Sequence, residues 1–195
     1  MKSRVALLLS TFLILSALIG PLRASNAKSA AADSMEHKLQ HIEQNAAAPK
    51  PDPTPTELTE QEVNAYVADG RVKLPNGVQS VRFEGQPDLI SSTARVDFDQ
   101  IKAGQHSSNP LLSMFSGVHN VDVRAHARGM GHKGYVEVQS VALDGVEIPH
   151  FVLQLFVDKY LKPKYPQIGL YSEFALPDKI DTAKVDQHKL TVTQK

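Results

Sequence analysis

Apolar residues recur with a period of two over much of the chain. The clearest run is 89–98, with Ile90, Ser92, Ala94, Val96 and Phe98 on one face and Ser91, Thr93, Arg95 and Asp97 on the other. One wet face and one dry face predict an antiparallel strand covered on one side. Residues 118–128 alternate likewise, setting Val121, Val123, Ala125 and Ala127 against Asp122, Arg124, His126 and Arg128. Gly129-Met-Gly-His-Lys-Gly134 reads as the turn and 135–143 as the returning strand, with a bulge near Ser140 where the alternation slips. Shorter strands are expected at 72–74, 78–83, 171–176, 180–185 and 189–193.

Three stretches switch to helical spacing. Thr59-Glu-Gln-Glu62 is a capping box, followed by Val63, Tyr66 and Val67 and ended by Gly70. Residues 109–115 read as a short helix with Asn109 as cap and Pro110 in first position. The longest predicted helix is 149–161. Leu153, Phe156, Val157, Tyr160 and Leu161 form its stripe, and Phe151, Val152 and Leu155 widen it beyond what an ordinary surface helix needs. The pattern predicts an α+β domain over 58–195, a curved antiparallel sheet wrapping a long hydrophobic helix.

The first 57 residues differ from this. Lys2 and Arg4 precede a 16-residue apolar run, 5–20, and Ser25-Asn26-Ala27 supplies small residues at a cleavage site. Residues 1–27 therefore read as a signal peptide cut before Lys28, with an uncleaved anchor as the alternative. Residues 28–57 read as a disordered, proline-rich tail, with prolines at 49, 51, 53 and 55. Within it Met35, Leu39 and Ile42 fall at i, i+4 and i+7, a short amphipathic helix capped by Ser34 that buries too little to hold by itself.

Composition narrows the function. The 195 residues include no cysteine, which excludes disulfides, thiolate metal sites, a cysteine nucleophile and an acylated lipoprotein anchor. Removing Lys2, Arg4 and Arg23 from 21 basic residues leaves 18 against 21 acidic ones, a net −3 that argues against gripping anionic headgroups or nucleic acid by bulk charge. His106, His119, His126 and His132 have spacings that fit no metal motif. Phe115-Ser116-Gly117 lacks the context of a nucleophile elbow, and the 129–134 glycines lack phosphate-loop spacing. No catalytic residue, metal ligand or cofactor is assigned.

The apolar inventory is more informative. Phe151, Leu155, Phe156 and Tyr160 on the long helix, with Leu111, Leu112 and Phe115 at a proposed mouth, are the candidate ligand-binding residues. An ordinary core is the plainer reading of the same residues.

The order of elements carries a resemblance. It runs through Leu58-Thr-Glu-Gln-Glu-Val-Asn-Ala-Tyr66, Val78-Gln-Ser-Val-Arg-Phe83, Ala94-Arg-Val-Asp-Phe-Asp99 and Asn109-Pro-Leu-Leu112. Val141-Ala-Leu-Asp-Gly-Val146, Ile148-Pro149, Tyr160-Leu-Lys-Pro163 and Phe174-Ala-Leu-Pro177 follow. Over 58–192 the chain resembles a group of uncharacterised exported bacterial envelope proteins. More distantly it resembles the LmeA-like phospholipid-binding proteins, whose fold is similar to the tubular lipid-binding superfamily. The resemblance rests on element order more than on a diagnostic motif, and this domain is short for a full tube. It implies a groove between helix and sheet that takes acyl chains, and it brings no catalytic motif. The expectation is a non-catalytic module of the periplasm or cell envelope that binds a phospholipid, fatty-acyl or other apolar ligand, with peripheral membrane contact left open. The alternative is a periplasmic protein–protein interaction module using the same apolar helix face.

Overall fold

The computed structural model describes residues 29–103 and 108–195. The signal segment and His106 lie outside the described residues. In chain order the elements are α1 (Ala30–Ala47), β1 (Thr56–Thr59), α2 (Glu60–Ala68), β2 (Val78–Gln86), β3 (Leu89–Asp97) and α3 (Phe98–Lys102). A single 3-10 turn (Pro110–Leu112) precedes β4 (Val118–Met130), β5 (Lys133–Leu143) and β6 (Val146–Glu147). Then come α4 (His150–Phe156), continued by a π turn (Val157–Leu161), and β7 (Tyr171–Ala175), β8 (Ile180–Asp186) and β9 (Lys189–Gln194).

All nine strands join one antiparallel sheet. β4 organises it. One edge of β4 pairs β3 from Val118 to His126, and β2 lies beyond β3. Past that point the same edge turns to β8, through Arg128↔Lys184 and Gly129↔Ala183, and β9 and β1 follow. The fork needs glycine: a Cβ on Gly129 would stand 2.7 Å from that of Ala183. The other edge of β4 pairs β5, which carries β6 and β7.

The α+β class and the open antiparallel sheet agree with the hydrophobic pattern. A sheet wrapped around a long hydrophobic helix is not seen among the described residues. The apolar helix α4 has seven residues plus its five-residue π turn, because Pro149 opens it and Pro163 follows closely. The longest described helix is α1, with 18 residues, inside the segment expected to be a disordered tail.

That expectation is corrected by the partners α1 finds. Ser29, not Ser34, caps the helix by accepting from the Ala32 amide. Met35 and Ile42 are fully buried and Leu39 nearly so. Met35 and Leu39 pack with Leu58, Tyr66, Val67, Val72 and Phe83, and Ile42 with Ile180 and Val192. Three apolar residues cannot hold a helix by themselves, but these contacts come from chain 19 to 150 residues downstream, which local periodicity does not register. Of the proline-rich spacer, 48–55 has no regular structure, and Thr56–Thr59 pairs with β9. Residues 72–74 form no strand, although Val72 is buried.

Polar ties fix α1 further. Glu62 completes the α2 capping box and also accepts from Ser34 Oγ (2.5 Å) and Lys38 Nζ (2.8 Å). Burial would raise the Glu62 pKa, but the hydrogen bonds from Lys38, Ser34 and Thr59 outweigh it and hold the carboxyl at about 2. Tyr66 Oη donates to Glu36, and Arg71 pairs with Asp33. The Gln194 amide donates to the Ile42 carbonyl and accepts from Asn45.

Candidate functional site

The inner face of β3, β4 and β5 is built by alternation. Ile90, Ser92 and Val96 from β3 lie beside Val121, Val123 and Ala125 from β4. On β5 the register with β4 slips where Ser140 pairs Arg124 and Val138 pairs Ala125, leaving Gln139 as the extra residue. The bulge predicted from the sequence is therefore real, and it has a structural effect. Parity changes across it, so Val136 and Val138 on one side and Val141 and Leu143 on the other all line the same space. His150 Nε2, at the start of α4, lies 2.8 Å from the Gln139 carbonyl oxygen and ties the helix to the bulge.

α4 covers this face without filling it. Between them lies an apolar cavity of about 320 Å³. Its roof is Leu153, Phe156, Val157 and Leu161, with residues 168–172 along one side. The π turn, closed by the Lys162 amide on the Val157 carbonyl at 2.9 Å, places both Val157 and Leu161 on the lining. At one end Phe98, Phe115 and Phe156 pack edge-on or tilted, with centroids 4.3–5.5 Å apart, and are buried. At the other stand Val136, Val138, Ile168 and Leu170, which are half-buried. Among the described residues Ser92 and Ser172 are the polar side chains on the lining, and Ser172 Oγ hydrogen-bonds the backbone of Gly169.

The seven residues singled out from the sequence divide three ways. Phe115 and Phe156 line the cavity. Leu112 and Tyr160 are buried in the same core cluster but stand behind its wall. Leu111, Phe151 and Leu155 are exposed and do not line it. Helical geometry separates them: with Val152, Leu153 and Phe156 turned to the sheet, residues 151 and 155 are carried to the outer side. Most of the lining comes from strand residues that the helix-centred reading passed over. Their signal was present in the inward positions of the alternating strands and in the parity change at Gln139.

The turn beside the aromatic end is braced by a histidine. His119 Nδ1 lies 2.6 Å from Asp144 Oδ2, and Nε2 lies 2.7 Å from the Ser116 carbonyl oxygen. These two partners raise the His119 pKa, Asp144 first. In return His119 and the Asn120 amide hold Asp144 below the ordinary carboxylate value. The bonds join the 3-10 turn segment to the β5–β6 turn and aim no group into the cavity.

No family model, no curated protein and no solved structure matches this chain. No described helix is long and apolar enough to cross a membrane. Among the described residues the lining holds no titratable side chain.

Proposed function

We infer that the protein is an exported, non-catalytic module of the cell envelope that binds one acyl chain of a lipid in the cavity between α4 and the sheet. The observation that carries this reading is the apolar cavity itself, left open by a helix that covers the sheet. At about 320 Å³ it stands at the lower end of the roughly 300–1,000 Å³ of ligand pockets. That size suits a single chain, such as a fatty acid or lysolipid, better than a whole two-chain phospholipid. Each buried methylene contributes about 0.8 kcal/mol, so about ten would give micromolar affinity at best. The likeness in element order to LmeA-like proteins supports the same reading, as a half-tube in place of a full one. The basic, apolar, small-residue order of 1–27 supports export.

The test is uptake of a fluorescent fatty acid, with native mass spectrometry of the chain recovered from the envelope fraction. Wild type should carry or take up one acyl chain. Val138→Phe, which adds bulk to the cavity lining, should abolish uptake while leaving the fold intact. A wild-type chain that carries no lipid and takes up no probe removes the reading. The protein–protein alternative draws on Phe151 and Leu155, which the cavity leaves exposed. It would appear as an oligomer that Phe151→Asp dissociates, with no probe uptake to lose.

A further inference from the structure

The outer side of the cavity roof is apolar too. Phe151 and Leu155 are 61% and 38% exposed, one helical turn apart on α4. The 3-10 turn packs against this helix through Leu112 and Phe115, and its neighbours Leu111 and Met114 are 45% and 40% exposed. Four large apolar side chains thus stand exposed on α4 and on the turn packed against it, while Val118, Met130, Val146 and Tyr171 are exposed elsewhere among the described residues. Continued along the helix, the outward line 151, 155 reaches Lys159, and Lys162 and Lys164 follow in the chain, Lys164 Nζ donating to the Ile101 carbonyl at 2.9 Å. Against these three lysines, residues 158–164 hold one acid, Asp158, which pairs with Lys162 at 2.6 Å. Residues 28–195 together are net acidic, so this local excess of positive charge runs against the whole.

We propose that Leu111, Met114, Phe151 and Leu155, with the lysines of 159–164, form a docking face for the surface of an anionic lipid bilayer. An apolar tip followed by a basic collar matches the depth profile of a bilayer interface. Phenylalanine, leucine and methionine enter the acyl boundary, and lysine stems lie along it with their ammonium groups among the headgroups. A protein partner of matching acidity would use the charges but would not by itself call for the four-residue tip. The proposal rests on the cavity reading for its purpose: docking would bring the roof of the cavity against the membrane that holds its acyl ligand.

The test is flotation of the envelope-purified chain with vesicles of phosphatidylcholine containing phosphatidylglycerol, against phosphatidylcholine alone. Wild type should float with the anionic vesicles, and less as salt is raised. Phe151→Asp/Leu155→Asp should lower binding at least ten-fold with an unchanged melting temperature. Lys159→Ala should weaken anionic binding about five-fold, with no effect on neutral vesicles. Both variants should still take up the fluorescent fatty acid from solution. Loss of vesicle binding therefore touches docking alone, and absence of probe uptake touches the cavity reading alone. A wild type that fails to float, or a double aspartate variant that floats like it, overturns the proposal. A wild-type dimer that this variant dissolves, with no vesicle binding, overturns it in favour of a second copy.

Discussion

Two helices cover apolar positions of one sheet, and they are held in different ways. α1 has a side-chain cap at Ser29, buried contacts along its length and polar ties at both ends, through Glu62 and through Gln194. α4 has no side-chain cap, begins at a proline, ends in a π turn and lies over a void. Both buried stripes are apolar. The difference lies in hydrogen bonds and filling, and it separates a closely packed part of the molecule from one that leaves space against the sheet. A tightly packed interior resists any change of volume, whereas a cavity wall has already given up part of its contacts.

Removing α1 should have the largest effect. Met35, Leu39 and Ile42 at about 1.5–3 kcal/mol each make roughly 5–9 kcal/mol, a sum comparable with the whole stability of a domain. A chain starting at Glu57 should therefore lose cooperative thermal unfolding. Melting within a few degrees of the intact protein would erase the contrast between the two helices. Glu62→Gln comes next. A carboxyl held near pH 2 against an ordinary 4.5 corresponds to on the order of 3 kcal/mol, or about 6–12 °C for a chain of this length. Because the folded pKa is depressed, this stabilisation is present above about pH 4.5 and is lost as pH falls toward 2. The pH dependence of unfolding should flatten there in the variant.

The comparison sharpens with one substitution made on each side. Ala32 on α1 is fully buried, and Ala125 on β4 lines the cavity. Ala32→Leu should cost about 1–3 kcal/mol through overpacking. Ala125→Leu should cost nothing or stabilise by up to about 1 kcal/mol, while reducing probe uptake. Equal losses in a denaturant titration would mean that the space under α4 is not free.

The smallest effect belongs to His119. Its folded pKa is raised, so its contribution is full below the unfolded value near 6.5 and fades as pH rises through the folded one. His119→Gln should remove a small stability difference between pH 6 and pH 8 and leave probe uptake unchanged.

Strand positions were legible because alternation is a local signal: 89–98 and 118–128 name their own inner faces, and the slip near Ser140 names the bulge. The α2 capping box was equally local and is present as read. What needed the fold was information about partners. Met35, Leu39 and Ile42 showed their stripe but not the surface that receives it. Phe151 and Leu155 looked like interior residues because hydrophobicity does not say which side of a helix meets the sheet. Asn64 passed unnoticed as well. Its side-chain amide donates to the Phe83 carbonyl and accepts the Phe83 amide, both at 2.8 Å, so it closes the outer edge of β2 as a paired strand would.

The bond between Gln194 and Ile42 sets a timetable. Its two residues are 152 positions apart, and at a synthesis rate of roughly 5–20 residues per second the interval is about 8–30 s. Through that time α1 is made, but Ile180, Val192 and Gln194 do not yet exist to receive it. Closing so distant a contact is slow in itself, since loop entropy is spent before any contact repays it. The C-terminal end of α1 therefore finds its seat on the sheet only after β9 has emerged.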